Sequence, residues 1–589
     1  MQIEGMQKEL LDILAAGEPY VLVEAPAGTG KTFCCIQAAK CLWDNKMLLP
    51  FQKTLILTFS RNARAQLLKE LSKITPEDPV HKHIEINNYH SFFKKYLDAY
   101  RDIIGIRQPL VITDDDDYIK LLYAYAEENN ISLRSGFACD VIDDFFYDKG
   151  VLVSQNAEGK HNKKKVKDIV KFLETAIQFT QNTGCVSFAQ FGGLVCRLLA
   201  QSAKMAQAIS HDYPVLILDE YQDTNCYQET FVRSVLLYSK GIFFADKWQM
   251  VYGFRGSTEE RLKSLPTFYP TIKKLTFTEY YRYKDKPDLV YILNAIRTNS
   301  NFDYSRLVNG AFISCNIPCN NNWQNIKGAS QKSQCTIFCS NIFYSTIRII
   351  FPLLRMKKSV AILCRRGIVV NKLVEVFFDH NLHPRTVSDT PEMLRINKLM
   401  KVCLEPVALK CKIPALLCIA ALCIMNKKID GEGIDTLETL NAVTLSRKRK
   451  PALKLIWQVI SPYLESASII DCWTVLEQML DILNTVDALV INYPRKRYVE
   501  HCIRANDLSP ALIDSIMMQR QYIDSFTDIS PGLYITTVHQ SKGKEFDCVF
   551  VVDVDDFMTD VNLLYVSHSR MKEGLYPIKI IYTGVNYGQ

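Results

Sequence analysis

The 589 residues contain no apolar run of bilayer length. The most apolar stretch, Ile413 to Met425, is far shorter than a membrane-crossing helix and suits a buried core helix. An apolar leader is missing too: MQIEGMQKEL at the N-terminus predicts a protein that stays in the cytoplasm. Excess charge of one sign is scarce, since a net charge of +7 and a pI near 8.4 are only mildly basic. That balance is consistent with a nucleic-acid partner without proving one. What is there is ordinary for a globular protein, 48% apolar with 23% charged residues, in a chain long enough for roughly three to four domains. The 19 cysteines are expected to be reduced thiols, most of them small core residues.

Two segments carry the chemistry. EAPAGTGKT reads as a phosphate cradle over Ala25, Pro26, Ala27, Gly28, Thr29, Gly30, Lys31 and Thr32. The loop turns through its glycines, points backbone N–H groups at phosphates and opens a helix whose N-terminus favours anions. Lys31 is the point charge for the β- and γ-phosphates, and Thr32 the hydroxyl for a magnesium ion. Ala25 stands where a glycine is usual, and it fits if its φ stays negative. Downstream, Val215 to Leu218 read as a buried parallel strand that runs into Asp219 and Glu220. Asp219 suits magnesium coordination, and Glu220 suits a carboxylate that orients the attacking water. The pair of segments predicts a nucleoside triphosphate bound with Mg2+ and hydrolysed.

Other features have plainer readings beside the functional ones. Cys315, Cys319, Cys335 and Cys339 form two C-x-x-x-C pairs that loosely resemble a zinc site. QCTIFCS also alternates like a strand, with Cys335, Ile337 and Cys339 on one face, and that reading is preferred. The basic runs HNKKKVK from His161 and SRKRK from Ser446 are as well explained by solvated loops as by a phosphate backbone. The acidic run Asp114 to Asp117 suits the start of a helix.

Strand-like runs alternate with helical patterns in two places. The first comprises Tyr20 to Glu24, Thr54 to Phe59, Val215 to Leu218 and Ile242 to Ala245. The second comprises Thr336 to Cys339, Val360 to Cys364, Leu533 to Thr537 and Cys548 to Val552. Two α/β cores with parallel sheets follow, each interrupted by a mainly helical insert without internal repeats. The expected boundaries are 1–98 and 191–262 for the first core around an insert at 99–190. The second core spans 263–390 and 529–589 around an insert at 391–528.

The order and spacing of the remaining motifs resemble the UvrD/Rep/PcrA-like helicases of superfamily 1 over nearly the whole chain. The resemblance implies two RecA-like P-loop NTPase cores. It assigns Gln7 to the adenine edge, and TFSRNARAQL, with Phe59 and Arg61, and INNYHSF, with Tyr89 and His90, to single-stranded DNA. In ADKWQMVYGFRGS, Gln249 would sense the γ-phosphate while Phe254 stacks on a base and Arg255 supports the strand. EYYRYKD is assigned to the second core, with Tyr281 on the adenine and Arg282 reaching the γ-phosphate. TTVHQSKGKEFD places His539 near DNA and Gly543 and Glu545 near the nucleotide, and LLYVSHSRMKEGLY supplies Arg570 as a second arginine finger. VAILCRRG resembles a second-core strand with an arginine at its end. Departures from the family pattern are Ala189 and Gln190 where acids are usual, Tyr280 for asparagine and Ala245 for glycine.

The resemblance thus implies an ATP-dependent helicase or translocase moving 3′ to 5′ on single-stranded DNA, with duplex junctions as substrates. An arginine finger supplies roughly three to five powers of ten in hydrolysis rate, which would tie cleavage to closure of the two cores. Aromatic side chains along a groove hold bases by about 1 to 3 kcal/mol each whatever their identity. Taken alone, Phe59 and Tyr89 are better read as core packing. The 19 residues after Arg570 leave no room for a fused nuclease, so a nuclease would be a separate subunit. The rival readings are a DNA-stimulated ATPase that regulates such a nuclease, as in Gabija-type phage defence, and a nucleotide-dependent DNA-binding scaffold without turnover.

Overall fold

The computed structural model describes residues 5–113, 115–134, 136–137, 139–148, 151–154, 163–251, 258–318, 329–380, 469–485 and 529–583, with scattered positions from 382 to 462 and at 499. The chain divides into two compact units, Met1–Val290 and Tyr291–Gln589.

Unit 1 is built on a six-stranded parallel sheet. Its strands are β1 (Tyr20–Glu24), β2 (Thr54–Thr58) and β3 (Ile84–Asn88), then, after four short strands, β8 (Val215–Leu218), β9 (Lys240–Ala245) and β10 (Lys273–Thr276), in the order β10-β1-β9-β8-β2-β3. Runs such as Val21–Val23, Leu55–Leu57 and Val215–Leu218 are buried throughout, which a parallel sheet covered on both faces requires. Helices cover the faces: Gly5–Ala15 and Lys31–Asp44 pack Leu10, Leu14, Ile36 and Ala39 on one side. Tyr89–Tyr100, Phe191–Gln201 and Cys226–Leu236 pack Phe92, Leu194 and Phe231 on the other.

Between β3 and β8 lie the short strands β4 (Val111–Thr113), β5 (Phe145–Asp148), β6 (Val151–Ser154) and β7 (Cys185–Ser187). They form two small pairs, β4 with β7 and β5 with β6, among the helices Asp115–Glu128 and Lys163–Thr183. Gln190, where the family pattern expects an acid, is buried and closes a capping box with Ser187.

Unit 2 carries a five-stranded parallel sheet, with β11 (Ile313–Ile317), β12 (Ser359–Cys364), β13 (Gly532–Thr537), β14 (Phe546–Val552) and β15 (Met571–Tyr582) in the order β11-β15-β14-β12-β13. The helices Ala329–Arg355 and Gly367–Asp379 supply Phe338, Ile342, Phe343, Leu373 and Phe377 to its core.

The structure corrects four expectations. Thr336 to Cys339 is no strand but lies within the Ala329–Arg355 helix. Cys335 and Cys339 are four residues apart, so they share one helical face and are buried there as core thiols. Cys319 lies outside the described residues, and no cluster of metal-ligating side chains occurs among the described ones.

Second, Cys335–Arg355 is long and apolar enough, by length and composition, to cross a membrane. Interspersed polar residues such as Asn341, Thr346 and Arg348 hide the stretch from a search for unbroken apolar runs. In unit 2, Phe338, Ile342 and Ile350 of this helix pack into the sheet core.

Third, the segment 263–290 belongs with the first core, because β10 pairs with β1, Val21 opposite Lys273. Fourth, EYYRYKD follows β10 and therefore falls in unit 1.

Of the expected core helix at 413–425, Ile413, Leu416, Ile419 and Ala420 are helical and buried, and 421–425 lie outside the described residues. The insert at 391–528 is described only at the Ile469–Thr485 helix and scattered positions, and SRKRK lies outside.

Candidate active site

The C-terminal ends of β1, β9 and β8 are neighbours in the unit 1 sheet, and the loops leaving them converge. After β1 the P-loop is tied to β9 by the Ala25 N–H donating to the Ala245 carbonyl at 2.9 Å. Ala25 is not among the residues with positive φ, so a side chain at this position costs nothing. Thr29 donates its hydroxyl to the Pro26 carbonyl at 2.8 Å, closing the turn. Gly28 and Gly30 have φ of +84° and +83°, and Gly30 caps the helix that Lys31 and Thr32 begin. A Cβ at Gly28 would meet Tyr283 Cε2 at 2.9 Å and Arg282 Cβ at 3.1 Å. A Cβ at Gly30 would meet Gln7 Nε2 at 2.7 Å and Tyr281 Cδ2 at 3.6 Å. Gly28 is therefore demanded twice, by backbone sign and by the Tyr283 ring, whereas Gly30 is demanded by backbone sign, since the end of the Gln7 side chain can give way.

These contacts bring Gln7, Tyr281 and Arg282 together around the two P-loop glycines. Gln7, on the Gly5–Ala15 helix, donates its amide N–H to the Thr29 carbonyl at 3.3 Å. Its Oε1 is buried without a hydrogen-bond partner. Tyr281 lies beside Gly30 and donates to Glu279 Oε2 at 2.9 Å. The Arg282 N–H donates to the Gly28 carbonyl at 3.1 Å, and its guanidinium donates to the Tyr283 hydroxyl at 3.2 Å.

At the end of β8, the Asp219 N–H donates to the Leu57 carbonyl at 2.8 Å, which fixes the carboxylate at the strand tip. Lys31 donates to Glu220 Oε1 and lies 3.7 Å from Asp219 Oδ1. Burial pulls the Lys31 ammonium down, but the Glu220 and Asp219 carboxylates outweigh it and hold the group above its ordinary value. Burial also pushes Asp219 up to about 6, with Lys31 opposing and Glu220 adding to the shift. Thr58 donates to Asp219 Oδ2 at 3.4 Å, while Oδ1 is buried with no hydrogen bond.

Glu220 adopts the left-handed region, φ +54° and ψ +41°, which an L residue other than glycine rarely occupies. Gln222 holds it from the far side: its amide donates to Glu220 Oε2, and its Oε1 accepts from the Asp246 N–H at 3.0 Å. Asp246 in turn accepts from the Gln249 amide at 3.0 Å and the Trp248 N–H at 3.2 Å. Gln249 is thus linked to Glu220 through Asp246 and Gln222. Gln222 and Asp246 were not singled out in the sequence. The available signal was the amide two residues after Glu220 in DEYQD, a spacing that lets a side chain reach back over a single tight turn.

The expected DNA residues divide. Phe59 is half-buried and Arg61 exposed at the end of β2. His90 is exposed and edges against Phe188, which is itself 43% exposed and was missed in the sequence. Tyr89 is only 2% exposed and packs edge-on to Phe93, so it is a core residue rather than an open ring face. Phe254 and Arg255 lie outside the described residues.

In unit 2, His539 is half-buried in the Val538–Ser541 turn that ends β13. Burial lowers its pKa, Asp560 opposes, and Arg365 adds to the lowering. Gly543 has φ +77° and Glu545 is half-buried. Arg570 is buried, donating from Nε to the Val566 carbonyl at 3.1 Å and from Nη2 to the Ser569 hydroxyl at 2.8 Å.

The parallel sheet, the glycine turn at a helix N-terminus and the acidic strand tip define a P-loop α/β protein. Residues 6–270 match the UvrD/REP helicase N-terminal domain and residues 532–577 the UvrD-like helicase C-terminal domain, and the chain belongs to this UvrD/Rep/PcrA-like family. It is similar to a probable DNA helicase II homolog of Mycoplasma pneumoniae, 25% identical over 49% of this chain and 42% of that protein. It is also similar to the ATP-dependent DNA helicase PcrA of Leuconostoc citreum, 21% identical over 50% of this chain and 39% of that one. The ATP-dependent DNA helicase Rep of Buchnera aphidicola is 22% identical over 49% of this chain and 43% of its own length. The chain thus spans about half or less of the length of these curated relatives.

Proposed function

We propose that this chain hydrolyses ATP with magnesium and uses the cycle to move 3′ to 5′ along single-stranded DNA, opening duplex junctions. The observation that most supports this reading is the convergence of Lys31, Asp219 and Glu220 where the P-loop opens its helix. The match to a DNA helicase family supports the DNA substrate, and the polarity is proposed from the motif resemblance.

The residues suit the roles. P-loop N–H groups and the Lys31 ammonium would take the β- and γ-phosphates. The buried Asp219 Oδ1, without a hydrogen bond, and the Thr32 hydroxyl are the oxygen donors a hard divalent cation needs. A bound magnesium ion would neutralise charge building on the phosphates. Glu220 would accept a proton from the attacking water while Gln222 fixes its second oxygen. Because Lys31 pairs with Glu220, a γ-phosphate that draws the ammonium away leaves Glu220 more basic. Arg282 and Arg570 would stabilise the transferring phosphoryl group, and Gln249 would report its presence through Asp246 and Gln222.

Gln7 Oε1 would accept from the adenine amino group, with Tyr281 stacked on the ring and Gly543 and Glu545 near the nucleotide. Phe59, Arg61, His90, Phe254, Arg255 and His539 would contact the strand.

The test is ATP hydrolysis without nucleic acid, with single-stranded DNA and with RNA, beside Lys31→Ala. Stimulation by single-stranded DNA that vanishes in the variant is expected, followed by unwinding of a 3′-tailed duplex. Turnover without unwinding would favour a regulatory ATPase subunit of a nuclease, and no Lys31-dependent turnover at all would overturn the enzyme reading.

A further inference from the structure

Glu220 sits in a backbone conformation that its own side chain does not favour, so its surroundings must hold it there. The turn it begins, Tyr221–Asp223, is closed internally by the Asp223 N–H donating to the Glu220 carbonyl at 2.9 Å and the Thr224 N–H to the Tyr221 carbonyl at 3.1 Å. Those bonds set the shape of the turn but not its position. Position at the front comes from Asp219 on β2 and from Gln222 on the Asp246 N–H.

The rear of the turn is held from another helix. Arg261, on the Glu259–Phe268 helix, donates from Nη1 to the Thr224 carbonyl at 2.6 Å and from Nε to Glu229 Oε2 at 2.7 Å. Both side chains of this ion pair are nearly buried, 11% and 12% exposed. Glu229 also accepts from Arg233, one turn further along its own Cys226–Leu236 helix, and the Arg233 guanidinium lies over the Phe268 ring at 3.4 Å. Glu229 therefore neutralises and orients Arg261 while Arg261 grips a carbonyl four residues from Glu220. A lysine could keep the charge pair but has no rigid fork to span carboxylate and carbonyl together.

We infer that Arg261, oriented by Glu229, is a positioning residue that clamps the turn behind Glu220 and so holds the carboxylate in its left-handed, water-activating geometry. The inference deepens the proposed hydrolytic role of Glu220 and rests on it. It assigns Arg261 no contact with nucleotide. Its loss should therefore act on the chemical step and leave nucleotide binding alone.

The experiment compares wild type with Arg261→Gln, Arg261→Lys and Glu229→Gln in the full chain. One arm is steady-state ATP hydrolysis at saturating oligo-dT, and the other is amide hydrogen exchange of the peptides covering 219–224 and 25–32. In Arg261→Gln the expected result is a fall in kcat of about 10- to 100-fold, as a slightly misplaced catalytic group gives, with KM for ATP within about twofold. Exchange should rise in 219–224 and not in 25–32. Arg261→Lys should show the same pattern although the ion pair with Glu229 survives, which separates the clamp from general loss of stability.

Unchanged exchange in 219–224, or an unchanged kcat, overturns the inference. Absence of Lys31-dependent turnover in the wild type would defeat the hydrolytic reading instead, and the exchange arm would still decide whether Arg261 clamps the turn.

Discussion

In unit 1 the C-terminal ends of β1, β9 and β8 run into Lys31, Asp246 and Asp219, whereas in unit 2 the adjacent ends of β14, β12 and β13 run into Asp553, Arg365 and His539. Both edges belong to parallel sheets, and each has a non-glycine carboxylate in the left-handed region, Glu220 at φ +54° and Asp553 at φ +58°. They differ in how charge is satisfied. Arg365 donates to the Asp556 carbonyl and carboxylate and to Thr559, so this edge of unit 2 closes on itself. Unit 1 instead gathers a buried ammonium, two carboxylates and an Asp219 oxygen without a hydrogen bond. The parallel sheet supplies the edge in both units, and the Asp219 oxygen without a hydrogen bond supports the proposal that unit 1 takes the nucleotide.

The sharpest way to break the comparison is to remove the proposed base, Glu220, while keeping its shape. Glu220→Gln keeps the amide–carbonyl reach to Gln222 but cannot accept a proton, and it removes one of the two anions facing Lys31. DNA-stimulated kcat should fall by about 10² to 10⁴, the usual share of general base catalysis. ATP binding, followed by a fluorescent analogue, should persist or tighten, because Lys31 no longer has to leave that anion. If turnover stays within threefold of wild type, Glu220 is not the base.

A smaller effect is expected at Gln7. Its amide N–H is committed to the Thr29 carbonyl and its oxygen is left to accept, which matches a 6-amino purine and opposes a 6-oxo one. Gln7→Ala should reduce the preference for ATP over GTP in kcat/KM by about tenfold, the worth of one hydrogen bond of roughly 1.4 kcal/mol. An unchanged ratio would remove Gln7 from base recognition.

How much of this was legible depended on whether neighbours in sequence are also neighbours in space. The strands β1, β2 and β8 were readable because short apolar runs end abruptly in glycine, serine or acid, and a buried parallel strand requires that pattern. Lys31 and Thr32 followed from the same local spacing. The Ala329–Arg355 helix was misread because Cys335 and Cys339 share a face in a strand and in a helix alike, and only the longer pattern through Ile342 and Ile350 separates the two. β3 escaped notice because IEINN holds only two apolar residues, Ile84 and Ile86, and forms no apolar run at the sheet edge.

Tyr89 shows a different limit. The motif fixes its place at the start of a helix, but the direction of its ring is set by Phe93 and the core beneath. The placement of Tyr281 and Arg282 beside the P-loop depends on β10 joining the unit 1 sheet and on one backbone bond from Arg282 to Gly28, neither of which has a local signature. The Arg261–Glu229 pair joins residues 32 apart, and nothing in either helix alone announces it.

The smallest expected effect tests whether the unit 2 edge is structural. Burial, with Asp556 and Asp555 adding, pushes Asp553 up to about 6, from an ordinary value of 3.8. A carboxyl whose folded pKa is raised binds its proton more tightly when folded, so its contribution to stability is greatest below about pH 4 and is lost as pH rises through 6. At pH 7.5 the charged form is a net cost. Asparagine removes that charge, leaves the bond from the Asp556 N–H to the residue 553 backbone carbonyl in place and tolerates the left-handed backbone better than most residues. Asp553→Asn should therefore raise stability by about 1 to 2 kcal/mol at pH 7.5, seen as a higher Tm, and the gain should vanish by pH 4. ATP turnover should stay within about twofold, since the proposed chemistry assigns Asp553 no contact with nucleotide or DNA. A loss of turnover comparable to that of Glu220→Gln would show that the two left-handed carboxylates share a function as well as a conformation, and the contrast between the two edges would fail.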